Sequence, residues 1–208
     1  MTNLGEQKQI QEHFERMYQA GQKPWIEHGA EPSLDDFFRP LKQKYTKAKV
    51  LDIGCGNGWI SIRAAKEGHE VWGIDSSETA IGEAKEASKK AGVDESTHFQ
   101  LGDALNLPYE DSFFGALIDR GLLHHILPEN RPIYFQNILR VLKPQSLIYL
   151  SVFSTKNPVG IGQLFTKKLV EDLFAKNFTI ISFSQDPYPT QAPVHLMHFI
   201  LERISRRG

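Results

Sequence analysis

The chain opens with an amphipathic pattern. Ile10, Phe14, Met17 and Tyr18 recur at helical spacing, so residues 5–20 predict a helix that Gly21 and Pro24 bring to an end. Residues 21–31 then read as a loop. Ser33 suits the N-cap of a short second helix carrying Leu34, Phe37 and Phe38, and Pro40 is expected to end or kink it. On this pattern residues 1–45 form a helical N-terminal extension, and residues 46–208 form one compact domain.

From Lys49 the pattern changes to short apolar runs alternating with helices. The strand candidates are residues 50–53, 71–74, 97–101, 113–118, 147–152, 178–183 and 194–201. Helices over 58–66, 78–90, 130–142 and 166–176 separate them, with Gly68 and Gly92 closing the first two. Such alternation predicts an α/β fold, a Rossmann-like three-layer sandwich with helices on both faces of a mostly parallel sheet. The last connection differs. Residues 184–193 (SQDPYPTQAP) hold three prolines and no helix signal. A link that short joins antiparallel strands, so the last of the seven strands is expected to run antiparallel near the sheet edge.

Composition adds limits. There are 24 Lys and Arg against 25 Asp and Glu in 208 residues, so no general electrostatic footprint for nucleic acid exists, and a nucleic-acid partner is not expected. No apolar run approaches the roughly 18–20 residues of a membrane span, and the polar start lacks a signal-peptide core. Cys55 is the one cysteine. It has no bridge partner and no companions for a thiolate metal site, so no metal is expected and a reducing, cytoplasmic setting fits.

The first strand candidate runs into Asp52-Ile53-Gly54-Cys55-Gly56-Asn57-Gly58, a strand–turn–helix passage. Glycines there permit positive φ and let backbone approach a ligand. Spacing separates the ligand classes. A dinucleotide fingerprint needs a glycine where Trp59 stands, which disfavours an NAD-dependent oxidoreductase, and a P-loop needs Gly-Lys-Ser/Thr where Gly58 is followed by Trp59 and Ile60. Asp52 puts negative charge in the turn, which suits a ligand with a cationic end such as an amino-acid ammonium. Asp75 closes the second strand and can accept from two ribose hydroxyls. Asp103 follows the third and could bond an adenine amine. Asp119 ends the fourth. Each could be merely a helix N-cap. Four acidic strand ends at one edge of one sheet favour a ligand site.

At these residues the chain resembles the class I S-adenosylmethionine-dependent methyltransferases. VLDIGCGNGWIS is similar to their first motif, VWGIDSSETAIGEAK to their second and FQLGDALNLPYEDSFFGALIDR to the next two. VLKPQSLIYLS is similar to the helix–turn–strand that follows, so the resemblance covers about residues 48–152. It implies a seven-stranded sheet with the seventh strand antiparallel, and S-adenosylmethionine as cofactor with S-adenosylhomocysteine as product. Asp52, Gly54, Cys55 (through its backbone) and Gly56 would line the methionine end, Asp75 and Ser76 the ribose, Asp103 and Ala104 the adenine. Asp119 and Arg120 would close the floor beneath the sulfonium. A looser resemblance, in the opening Tyr18…Lys23-Pro24-Trp25 before a helix and in Asp119-Arg120-Gly121-Leu122-Leu123-His124-His125-Ile126, points to the thiopurine and tellurite-resistance group of small-molecule enzymes. In that resemblance Trp25 folds over the cofactor.

Methyl transfer from a sulfonium asks mainly for in-line placement, and a general base matters only if the nucleophile arrives protonated. His124 and His125, just after the fourth strand, are the candidate bases. The resulting expectation is transfer to a sulfur, oxygen, nitrogen or chalcogen atom of a small molecule by in-line displacement. The alternatives are an RNA or protein methyltransferase and a non-enzymatic S-adenosylmethionine-binding regulator.

Overall fold

A computed structural model describes residues 2–23, 31–158, 162–188 and 194–205. Seven strands form one sheet: β1 (Lys49–Ile53), β2 (Glu70–Asp75), β3 (Thr97–Leu101), β4 (Phe114–Arg120), β5 (Leu142–Phe153), β6 (Phe178–Tyr188) and β7 (Val194–Arg203). Their spatial order is β3-β2-β1-β4-β5-β7-β6. Strands β1 to β5 pair in parallel, while β7 is antiparallel to both β5 and β6. The sheet is therefore the one expected, and β7 lies one place in from the edge. β6 runs on to Tyr188, and residues 189–193 lie outside the described set.

Among the described residues six α-helices accompany the sheet: α1 (Leu4–Gln19), α2 (Pro32–Lys44), α3 (Trp59–Lys66), α4 (Glu78–Lys90), α5 (Arg131–Val141) and α6 (Lys167–Phe174). The central strands are buried on both sides, which is why they read as continuous apolar runs and not as alternation. On one face Leu51, Leu117, Ile148 and Leu150 meet Tyr134 and Ile138 of α5 and Val170 and Phe174 of α6. On the other, Val50, Val71, Ala116 and Ile118 meet α3 and α2.

Helix α2 corrects two details. Its N-cap is Glu31, not Ser33. Pro32 takes the first helical position, where a missing N–H costs nothing, and Ser33 sends its hydroxyl to Tyr149 at 2.8 Å. Pro40 does not end the helix, which continues to Lys44. An interior proline costs about 3 kcal/mol. Leu34, Phe37, Phe38 and Leu41 are all buried against the sheet. Each such side chain contributes roughly 1.5–3 kcal/mol, so their burial outweighs the proline. Strand β5 also starts early, at Leu142, because its pairing with β4 shifts register between Leu142 and Leu147.

Helix α1 lies across the loop that follows β4. Gln7 is buried and acts there like a strand partner: Leu127 N–H donates to its Oε1 (2.9 Å), and its Nε2 donates to the His125 carbonyl (3.0 Å). Asn130 bonds the helix start in both directions, to Asn3. No described helix is long and apolar enough to cross a membrane.

Candidate active site

The carboxyl ends of β1, β2, β3 and β4 gather the residues of interest. Gly54, Gly56 and Gly58 all have positive φ, at 70°, 54° and 75°. The turn hangs from β2, since Gly54 N–H and Cys55 N–H both donate to the Ile74 carbonyl at 2.8 and 3.1 Å. Asp75 ties the turn to α4: Oδ2 accepts from Gly56 N–H (2.8 Å) and Oδ1 from Ser77 N–H (2.9 Å). Burial raises the Asp75 pKa, against hydrogen bonds from the Ser77, Gly56 and Ser76 amides that lower it. Ser77 then caps α4 by accepting from Ala80 N–H.

The glycines serve different ends. A Cβ on Gly56 would stand 2.5 Å from the Tyr18 hydroxyl of α1, so glycine here lets that hydroxyl close directly on the turn. A Cβ on Gly58 would stand 2.7 Å from the Phe99 ring and 2.9 Å from Ala84, so this glycine serves the packing of α3 and α4 on β3. Gly58→Ala is expected to cost about 1–2 kcal/mol through overpacking and a left-handed φ. Chemical denaturation would measure it, and an unchanged midpoint would refute the packing role.

The other acidic residues divide their duties. Asp52 is buried, and its carboxylate accepts from the Ser61 hydroxyl at 2.6 Å, which anchors the start of α3. Burial pushes its pKa to about 7, with Asp75 and Asp119 adding to the rise. Asp103 accepts from Leu105 N–H (2.8 Å) in a tight turn, and Ala104 beside it rests on the core. Asp119 has no exposed surface. It accepts from Leu122 N–H (2.8 Å), Leu123 N–H (3.2 Å) and the Tyr134 hydroxyl (2.6 Å), while burial raises its pKa to about 6.

Two expected contributors, Cys55 and Arg120, have their side chains engaged within the fold. The Cys55 side chain packs with Ile81, Ala84 and Phe99. Its N–H and C=O each bond within the fold, to Ile74 and Gly58, so its peptide groups are already engaged. Arg120 turns toward α2: it pairs with Glu31 at 2.8 Å and lies over the Trp59 ring at 5.4 Å. Glu31 also accepts from the Tyr149 hydroxyl at 2.6 Å. Trp25 lies outside the described residues.

His124 is buried and stacks on Phe153, with ring centroids 3.8 Å apart. Its Nδ1 accepts from Phe153 N–H at 3.3 Å. His125 is half-buried, edge-on to Phe14 of α1 at 4.7 Å. Burial, with His13 as the next cause, lowers its pKa to about 4. Both imidazoles are therefore neutral at pH 7, since burial also holds His124 well below its usual value. Among the described residues no group of three or more His, Cys, Asp or Glu is placed to hold a metal.

Sequence patterns single out Tyr18 only as part of the looser resemblance, and do not point to Glu15 or Gln7. Glu15 of α1 accepts from the hydroxyls of Ser77 (2.5 Å) and Thr79 (2.7 Å), so α1 grips the ribose-side loop as well as the loop after β4. Tyr18 carried a partial signal, a hydroxyl on an otherwise apolar helical stripe. Glu15 and Gln7 carried none, because their partners lie 62 and 118 or more residues away.

A doubly wound sheet with this strand order, a glycine turn after β1 and carboxylates at the ends of β1, β2 and β4 defines the class I S-adenosylmethionine-dependent methyltransferase architecture. Residues 44–193 match the family model described as a methyltransferase domain, and the chain belongs to that family. Over 151 residues it is 30% identical to the 2-heptyl-1-hydroxyquinolin-4(1H)-one methyltransferase of Mycobacteroides abscessus, covering 69% of this chain and 65% of that one. Over 115 residues it is 36% identical to the 27-O-demethylrifamycin SV methyltransferase of Amycolatopsis mediterranei, covering 54% and 42%. The chain thus spans less than two thirds of the length of these curated relatives. In fold it is similar to the Burkholderia thailandensis 1,6-didemethyltoxoflavin-N1-methyltransferase, solved with 1,6-didemethyltoxoflavin and S-adenosylhomocysteine. The TM-score is 0.84 at 23% identity, covering 99% of this chain and 92% of that one.

Proposed function

We propose that the protein transfers a methyl group from S-adenosylmethionine to a heteroatom of a small, planar acceptor. The observation that carries this is the Asp75 carboxylate, fixed by Gly56 and Ser77 amides at the edge of a turn that tolerates no side chain at Gly56. Those residues fit an adenosyl amino acid. Asp75 offers lone pairs to a diol, with Ser76 beside it. Asp103 keeps one carboxylate oxygen beyond its Leu105 bond for an exocyclic amine, with Ala104 alongside. Gly54, Gly56 and the Tyr18 hydroxyl border the methionine end, and the buried Asp119 carboxylate, mostly ionised above about pH 6, sets a negative field at the end of β4.

S-adenosylmethionine brings a methyl group already activated on a positively charged sulfur. The chain's own residues then align and exclude water, which supplies on the order of 7–11 kcal/mol at best. Phe14, His124, His125 and Phe153 form a continuous aromatic wall beside this end of the sheet. Such a wall favours a flat ring. The quinolone and toxoflavin in the names of two relatives are flat heterocycles, which supports the same class.

Calorimetry should show micromolar binding of S-adenosylmethionine and S-adenosylhomocysteine. Labelled methyl should pass to members of a panel of thiols, phenols, amines, selenite and tellurite. No cofactor binding would overturn the proposal. Label appearing only in RNA or protein would overturn the small-molecule part, and binding without any transfer would indicate a regulator.

A further inference from the structure

The two histidines after β4 are candidate bases by position, but the hydrogen bond at His124 fixes what that ring can do. An imidazole nitrogen that accepts from a backbone N–H cannot itself carry a proton. Nδ1 of His124 accepts from Phe153 N–H at 3.3 Å. In the neutral ring the proton therefore sits on Nε2, which is a donor only. The ring is 3% exposed and clamped by the Phe153 stack (22° between planes) and by His125, edge-on at 4.4 Å. It cannot exchange its two nitrogens without leaving that stack. Among the described residues nothing bonds Nε2. That edge faces Gly121 at the end of β4: a Cβ there would meet Cε1 at 3.4 Å and Nε2 at 3.8 Å. Nε2 is not among the sealed polar atoms that lack a partner, unlike Ser146 Oγ in the core, so this edge of the ring is where an acceptor atom of a ligand can reach it.

We propose that His124 is a fixed hydrogen-bond donor to the methyl acceptor and not its base, and that the acceptor is a heterocycle bearing a carbonyl or oxyanion conjugated with its nucleophilic atom. This rests on the methyltransferase reading above. The acceptor's heteroatom uses its own lone pair to form the bond to carbon. The carbon–sulfur bond breaks, its electron pair stays on sulfur, and no proton passes to His124. Acceptors that arrive protonated lose that proton to water first, which suits acidic N-hydroxy and enol groups over alcohols. The titratable groups facing this ring are His125 on its own turn, Arg120 at the end of β4 and, behind His125, His13 of α1. All three are neutral or cationic, so none stabilises an imidazolium at His124.

Nitrogen-15 NMR of the full chain tests this without turnover. The wild-type His124 signals, assigned against His124→Gln, should show a protonated Nε2 and bare Nδ1 from pH 5.5 to 8.5. A proton on Nδ1, or titration within that range, overturns the proposal. With S-adenosylhomocysteine bound, 2-heptyl-1-hydroxyquinolin-4(1H)-one serves as the acceptor probe. His124→Phe should weaken its binding at least tenfold, and His124→Gln, which keeps an N–H donor, by less than threefold. Equal binding by His124→Phe overturns the proposal. Failure of the wild type to bind S-adenosylmethionine at all would instead overturn the reading beneath it.

Discussion

Asp75→Ala is expected to weaken S-adenosylmethionine binding by at least about 100-fold. Both carboxylate oxygens are held in place by amides, Gly56 at 2.8 Å and Ser77 at 2.9 Å, and each keeps a further lone pair for a ligand hydroxyl. Hydrogen bonds to a charged acceptor contribute roughly 1.5–3 kcal/mol apiece, and two of them are at stake. Alanine also frees the Gly56 amide and loosens the turn. Asp75→Asn should fall between the two, since its amide oxygen still accepts one bond. Calorimetry on variants that retain the wild-type far-ultraviolet spectrum would decide. Alanine binding as tightly as aspartate would remove Asp75 from the site and, with it, the observation on which the assignment stands.

The second large effect concerns acid–base balance in the core. Asp119 has its folded pKa raised to about 6 from 3.8. Between those values the folded chain holds a proton that the unfolded chain has released. The contribution of Asp119 to stability is thus full below about pH 4, declines as pH rises to 6 and is lost above it, a change of about 3 kcal/mol. An asparagine in its place would mimic the neutral form at every pH. Asp119→Asn should therefore match the wild type near pH 4 and exceed it near pH 8, by up to about 3 kcal/mol, or roughly 6–12 °C in Tm for a chain of this size. The lowered pKa values of His124 and His125 act in the opposite direction, with stability falling as pH drops below 6.5, but they are common to both proteins and cancel in the comparison. The same variant should lose about tenfold of any preference for S-adenosylmethionine over the uncharged product, because a buried anion favours the cationic ligand. Thermal melts at the two pH values check the first part. An Asp119→Asn protein less stable than wild type at pH 8 would show that the charged form is the one the core prefers.

Asp119 also illustrates what the linear pattern can and cannot reveal. Its place after an apolar run, like those of Asp52 and Asp75, was legible because strand and turn periodicity are local. The three residues then diverge for non-local reasons. Asp52 meets Ser61 of α3 and Asp119 meets Tyr134 of α5, so both are buried, while Asp75 faces the cleft between the turn and α1. Nothing near Asp119 in sequence announces Tyr134. Pro40 failed as a helix stop for a similar reason: propensity was outvoted by the burial of Phe37, Phe38 and Leu41, which only the assembled sheet supplies. Cys55 read correctly as a small residue, yet the engagement of its amide by Ile74 depends on β2. The grip of α1 through Gln7 and Glu15 was invisible, since both residues look like ordinary polar positions on a surface helix.

The placement of β7 between β5 and β6 has a consequence for synthesis. β6 leaves the ribosome before β7, yet among the described residues its one neighbour in the sheet is β7. Until residues 194–203 emerge, β5 presents a bare apolar edge and β6 has nothing to pair with. Both are then open to wrong partners, including strands of other nascent chains. The β6–β7 hairpin must enter as a unit to close that edge. Shortening the chain within β7 would accordingly not trim the sheet but split it. β6 would be cut loose from a five-stranded remainder on which α6 still packs and whose cofactor half was otherwise intact.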